Sequence, residues 1–143
     1  MSSVKGDGRG ERGRAGERAA QDLLEREGYR IVDTNVRLGR DSGLIGEIDI
    51  IAWEGATLCF VEVKTRRGVP GRVFPGEAIT LAKQRQIAGL SLTYAAQCGL
   101  LTDDADIALR FDVVTVILSP GATPPLVRRA ELWRAAFSAP DDF

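Results

Sequence analysis

Three residues on two neighbouring segments have the types and spacing for hydrolytic chemistry. They are Asp49 in Gly46-Glu47-Ile48-Asp49-Ile50-Ile51, and Glu62 and Lys64 in Phe60-Val61-Glu62-Val63-Lys64. Gly55-Ala56 lies between the segments and fits a two-residue type II′ turn, whose first central residue needs positive φ. Counting outward from that turn, Glu54 faces Thr57, Ile51 faces Phe60, Asp49 faces Glu62 and Glu47 faces Lys64. Opposed residues point to one side of a sheet, with Cβ atoms roughly 4.5–5.5 Å apart. One face is therefore expected to carry Glu47, Asp49, Glu62 and Lys64, and the other the core residues Ile48, Ile50, Val61 and Val63. Like charges directly opposed destabilise a strand pair. A cation between them resolves the clash, and two carboxylates suit Mg²⁺ or Mn²⁺. Lys64 would then hold a positive charge beside a water or phosphate at the metal. The competing reading is a solvated face of cross-strand charge pairs, Glu47–Lys64 among them.

Composition narrows the chemistry further. The chain has 143 residues and no histidine. That excludes imidazole bases, Ser-His-Asp triads and most zinc and iron sites. Cys59 and Cys98 are expected to act as small buried hydrophobes rather than as a disulfide or zinc site. Net charge is −1, but between Glu62 and Arg85 six cations stand against two anions. This local basic stretch suits a phosphate-bearing partner, and Arg66, Arg67, Arg72, Lys83 and Arg85 are its candidate nucleic-acid contacts. No glycine-rich phosphate loop joins a strand to a helix, so no nucleotide cofactor is expected. No apolar run of about 18 residues exists, so no membrane span is expected. The first sixteen residues lack a signal-peptide core, which makes the cytoplasm the default location.

These residues need elements to position them. Residues 1–14 read as a disordered basic arm, 15–137 as one domain and 138–143 as a flexible tail. A helix is expected from about Ala15 to Glu27, stopped by Gly28, and a first strand from Tyr29 to Val36. Gly39 to Gly43 reads as a polar loop. Leu44–Trp53 and Thr57–Thr65 are rich in β-branched residues and read as strands. Arg66–Gly76 reads as a loop, and a second helix runs from about Thr80 to Gln97, closed by Gly99. After an acidic loop at Thr102–Asp106, Ile107–Leu118 reads as a buried strand. Leu126–Phe137 is ambiguous and reads as a last strand followed by a short helix at Leu132–Phe137. The order gives an α/β or α+β fold, a sheet flanked by helices. On the two helices, Lys83 falls in line with Ile87, Leu90 and Tyr94, and Glu17 with Ala20 and Leu24. A charge on an apolar stripe must snorkel or meet an opposite charge.

The segments Gly46–Ile51, Phe60–Arg66, Lys83-Gln84 and Arg110-Phe111-Asp112-Val113-Val114, spread over Ala15 to Phe137, resemble the YraN family of bacterial proteins. That family is similar to the Holliday-junction resolvases of the PD-(D/E)xK nuclease superfamily. The resemblance implies a restriction-endonuclease-like core with a central mixed β-sheet flanked by α-helices. It implies Asp49 and Glu62 as metal ligands with the Val63 carbonyl as a third, Lys64 as the residue that orients water and stabilises charge, and Glu17 as an accessory acid. Here Ile48 stands where the superfamily pattern has proline. Two functions follow as expectations. One is a metal-dependent endonuclease acting on DNA, with branched or recombination intermediates as candidate substrates and a homodimer as the candidate assembly. The other is a nucleic-acid-binding protein that keeps the fold without catalysis.

Overall fold

A computed structural model describes residues 10–38, 46–68, 79–102 and 107–140. The elements in chain order are α1 (Glu11–Arg26), β1 (Arg30–Arg37), β2 (Glu47–Glu54), β3 (Thr57–Arg67), α2 (Leu81–Gln97), β4 (Ala108–Leu118) and β5 (Val127–Phe137). The strands form one five-stranded sheet in the order β1-β2-β3-β4-β5. β3 and β4 are parallel, and every other neighbouring pair is antiparallel. α2 supplies the crossover that a parallel pair needs. The result is an α/β fold, a mixed sheet between two helices, consistent with a restriction-endonuclease-like core. Among the described residues no helix is long and apolar enough to cross a membrane. The expected loops at 39–43 and 103–106, most of the loop after Arg66, Arg72 within it, and residues 1–9 lie outside the described residues.

Both helices end in the same way. The Tyr29 amide donates to the Leu24 carbonyl at 2.9 Å and the Gly28 amide to Glu25 at 3.1 Å, with Gly28 at φ 94°. At the end of α2, Leu100 donates to Ala95 and Gly99 to Ala96, with Gly99 at φ 72°. This is the Schellman arrangement, which a left-handed glycine makes accessible. α2 starts where Thr80 Oγ1 accepts from the Lys83 amide at 3.1 Å. α1 starts at Glu11, four residues before the expected Ala15, so the end of the expected arm is helical. Glu and Arg are good helix formers, and Glu11 in the first turn complements the helix dipole. Cys59 is buried in the core, but Cys98 is exposed at the end of α2, contrary to the expectation of burial for both.

The sheet is buried on both faces, which corrects the expectation of one polar face and one core face. Ile50, Ala52, Cys59, Val61, Val114 and Val116 pack with Ala20 and Leu24 of α1. Ile51, Leu58, Phe60, Phe111 and Val113 pack with Ile87, Ala88 and Leu90 of α2. Helices on both sides of a parallel pair require apolar residues at successive positions. Ile48 joins the α2-side cluster instead of packing with Ile50. The charged residues therefore gather at the two ends of the strands, Asp49, Glu62 and Lys64 at one and Glu54, Arg110 and Asp112 at the other.

β5 is continuous from Val127 to Phe137, and no helix forms at Leu132–Phe137. Its pairing with β4 shifts between Phe111↔Phe137 and Val113↔Trp133, which leaves extra β5 residues out of register. Ala135 in that bulge has φ 51°, a left-handed conformation costly for a residue with a Cβ. Its amide is captured by Asp112 Oδ1 at 2.9 Å. Asp112 has no exposed surface. It also accepts from Tyr29 Oη at 2.7 Å and from Arg110 Nε at 2.8 Å. Arg110 reaches Glu54 at 2.6 Å, and Glu54 holds Arg134 at 2.7 Å. Helix propensity at 132–137 thus gives way to a buried carboxylate more than twenty residues earlier.

Burial alone would raise the Asp112 pKa. The hydrogen bonds from Arg110, Tyr29 and the Ala135 amide outweigh it and hold the carboxyl below its ordinary value. A depressed folded-state pKa means that the stabilisation is present above the unfolded-state pKa and is lost as pH falls through the folded one. Asp112→Ala is expected to cost about 3–5 kcal/mol in urea unfolding, because Arg110 loses one of its two carboxylates and the Tyr29 hydroxyl and Ala135 amide lose their acceptor. Asp112→Asn should flatten the acid side of the stability curve. A loss of less than about 1 kcal/mol for the alanine variant would mean that solvent replaces the network.

Candidate metal and active site

The site begins where the β2–β3 ladder stops. From the Gly55-Ala56 turn the ladder runs Glu54↔Thr57, Trp53↔Leu58, Ala52↔Cys59, Ile51↔Phe60 and Ile50↔Val61. Gly55 has φ 61°, as the turn requires. Hydrogen-bonded pairs alternate along an antiparallel ladder, so the next bonded pair would be Ile48 with Val63. Instead the Val63 amide donates to Asp49 Oδ2 at 2.8 Å. The side chain of Asp49 stands where a backbone acceptor would have been. The expected rung between Asp49 and Glu62 is thus replaced by a gap that Asp49 fills. In an extended strand the N–H and C=O of one residue point to the same edge. The Val63 carbonyl therefore faces this gap too.

Gly13, Glu17, Asp49, Glu62, Val63, Lys64 and Thr65 line a cavity of about 330 Å³ at this end of the sheet. Glu62 is only 8% exposed. Burial is the largest cause of a pKa pushed up to about 8, and the negative charge and hydrogen bonding of Asp49 add to it. Lys83 and Lys64 pull in the opposite direction, Lys83 more strongly. The Lys83 ammonium on the apolar stripe of α2 therefore lies near enough to Glu62 to favour its ionised form. Arg66 and Arg67 are exposed at the end of β3 and line a neighbouring cavity. Arg85 is exposed on α2.

Glu17 arrives from α1. Both of its carboxylate oxygens accept from Asn35 Nδ2 at 3.0 Å. The same amide nitrogen reaches Glu47 Oε2 at 3.2 Å. Glu47 is also bridged by Arg37 at 3.1 Å, rather than by the expected cross-strand partner Lys64. The helix comes close enough because residue 16 is glycine. A Cβ there would stand 2.0 Å from Thr65 Oγ1 and 3.0 Å from Thr65 Cβ. Asn35 is a site residue that the strand reading passed over. It sits at φ 51°, a conformation Asn tolerates better than most residues. A lone Asn in a β-rich segment was the only available signal. Gly46 is favoured by its φ of 113°, a conformation that strains residues with a Cβ, and the Gln86 side-chain amide packs against it.

Among the described residues no group of three or more His, Cys, Asp and Glu side chains is placed to hold a metal ion. The donors at hand are the Asp49 and Glu62 carboxylates and the Val63 carbonyl. Mg²⁺ commonly takes one or two carboxylates and fills its remaining positions with water and phosphate oxygens. The set fits such an ion, because two carboxylates forced together in a buried gap gain from a cation that replaces their shared proton.

The raised Glu62 pKa sets a pH dependence. Between the ordinary glutamate range and about 8, the folded protein holds a proton that the unfolded chain has released. Stability of the metal-free protein should therefore fall as pH rises through that window. Glu62→Gln removes the titrating group and should flatten the slope. Thermal melts at pH 5, 6.5 and 8 in EDTA check this, and parallel slopes for the two proteins would count against the assignment.

The sequence matches the family described as "Uncharacterised protein family UPF0102" over residues 16–116. A UPF0102 protein of Symbiobacterium thermophilum is 46% identical over 127 residues, covering 89% of this chain and 96% of the relative. One from Chlorobaculum tepidum is 44% identical over 105 residues, covering 73% of this chain and 74% of the relative. Another, from Geobacter sulfurreducens, is 46% identical over 108 residues, covering 75% and 77%. The matched stretch contains Glu17, Asp49, Glu62, Lys64 and Lys83, and the chain belongs to the UPF0102 family, the YraN family of the motif comparison.

Proposed function

We propose that the protein is a divalent-metal-dependent endonuclease that hydrolyses phosphodiester bonds in DNA. The observation that carries this reading is the buried Glu62 carboxylate set against half-buried Asp49, in a cavity that also presents Lys64 and Glu17. A fold kept only for binding gains nothing from a buried carboxylate held against a second one. A Mg²⁺ or Mn²⁺ ion held there would activate water and neutralise charge on the scissile phosphate. Asp49, aimed by the Val63 amide, and Glu62 would hold that ion, and the Val63 carbonyl would be available as a third donor. Lys64 places its ammonium where negative charge grows on the attacked phosphate. Lys83 favours the ionised form of Glu62. Glu17, held by Asn35, is an accessory acid at the rim.

The catalytic unit is the region from α1 to β5, acting in the cytoplasm where DNA is the available substrate. Branched DNA and a homodimer are the substrate and assembly that the likeness to junction resolvases favours, since two cuts need two sites. The competing reading, a non-catalytic nucleic-acid-binding protein, expects DNA binding with no requirement for the metal.

Two substitutions separate the roles. Asp49→Ala removes a ligand, so Mn²⁺ affinity and cleavage fall together. Lys64→Ala leaves the ligands in place, so metal still binds while cleavage falls by on the order of 10²–10³. DNA binding survives both. Calorimetry with Mn²⁺ and cleavage of linear, flapped and four-way DNA in one purification series measure all three properties. Wild-type protein that neither binds metal nor cuts any of these substrates would overturn the proposal in favour of the binding protein, and full cutting by Lys64→Ala would overturn the site.

A further inference from the structure

Two concave surfaces continue from the carboxylate cavity along α1. The first, about 490 Å³, shares Gly13 and Thr65 with it and is lined by Arg12, Arg66 and Arg67. The second, about 420 Å³, meets the first at Pro125 and is lined by Arg18, Arg26, Arg128 and Arg129, from α1 and the edge strand β5. Glu11 and Asp22 are the acidic residues in these linings, and Arg129 is paired with Glu131 at 2.7 Å. The six remaining arginines are exposed and form no ion pair with another described residue. Elsewhere on the molecule Arg37, Arg110 and Arg134 have carboxylate partners, and Arg30 on β1 is exposed without an ion pair to a described residue.

We propose that this groove between α1 and β5 is a track for the sugar–phosphate backbone of a DNA duplex leading away from the cleavage site. The proposal rests on the nuclease reading only for where the track begins. A chain with 20 acidic and 19 basic residues has enough carboxylates to pair its surface arginines. Here six unpaired ones follow two adjoining concavities, the first of which opens into the carboxylate cavity. Arg guanidinium groups bind phosphate oxygens through paired N–H donors. From Arg12 to Arg26 the helix rises roughly 21 Å at about 1.5 Å per residue. At about 3.4 Å per phosphate of one strand, that spans roughly six nucleotides. The duplex therefore runs along α1 and β5, on the side of the sheet opposite α2 with its Lys83 and Arg85.

The test is the salt dependence of duplex binding by fluorescence anisotropy. Three variants are compared with wild type: Arg18→Ala/Arg26→Ala/Arg128→Ala, its all-lysine counterpart, and the milder Arg128→Ala. Each lost phosphate contact should reduce the slope of log affinity against log salt by about 0.9. The triple alanine variant should therefore lose about 2.7 from the slope, and the lysine variant should regain most of it. Wild type and triple variant should converge when the duplex arm is cut below about six base pairs. An unchanged slope in a variant with an unaltered melting curve overturns the track and leaves the surface to an acidic protein partner. Metal-dependent cleavage with an unchanged slope removes the track and leaves the nuclease standing. A reduced slope without any metal-dependent cleavage keeps the track and removes the nuclease.

Discussion

The hydrogen bond from the Val63 amide to the Asp49 carboxylate is the constraint on which the site depends. A β-ladder satisfies each amide with a carbonyl from the next strand, and a buried amide left without a partner costs about 1–3 kcal/mol. By supplying the acceptor from a side chain, β2 can leave the ladder after Ile50 without that penalty. The departure creates the gap in which Asp49 and Glu62 meet. It also aims the Val63 carbonyl into the same space. The central strands thus stay fully paired at one end and open at the other.

The two ends of the sheet use the same ingredient to opposite effect. Asp112 is as deeply buried as any residue in the protein, and Arg110, Tyr29 and the Ala135 amide surround it with donors. Its charge is satisfied, its pKa lies low and it ties β4, β5 and the start of β1 together. Glu62 is nearly as buried, but its close neighbour is another carboxylate and its nearest cations are lysines. Its pKa lies high, because burial and the Asp49 charge outweigh the pull of the lysines. Perturbed carboxylates of both kinds occur in folded proteins, and only the unsatisfied kind marks a place where a ligand gains free energy by binding.

The flanking helices complete the asymmetry. α1 approaches β3 at Gly16 and brings Glu17 to the open end, where Asn35 links it to Glu47. α2 brings Lys83 from the other face. Each helix thus delivers one charge from an otherwise apolar stripe. The outer side of α1 carries the arginines that adjoin the carboxylate cavity, so the cleft and the basic groove are two sides of one packed helix.

Much of this could be read from the residues alone, because the signals were local. Gly55-Ala56 specified the turn, the β-branched runs specified the strands, and from them followed the meeting of Asp49 with Glu62. Gly28 and Gly99 marked the helix ends through their left-handed backbones. Other features depended on partners distant in sequence. Both faces of the sheet are buried, and alternation in one hairpin cannot show whether a second helix covers the face it assigns to solvent. β5 stays extended through Phe137 because its bulge is pinned to Asp112. Glu47 pairs with Arg37 and Asn35 because β1 lies beside β2, and a count along the hairpin holds no information about that strand. Residue types and spacing determined which groups could act, since those are properties of short segments. Only the packing of α1, β1 and α2 around the open end decided which charges are surrounded by donors and which by another carboxylate, because burial and pairing arise from contacts that close across the whole chain.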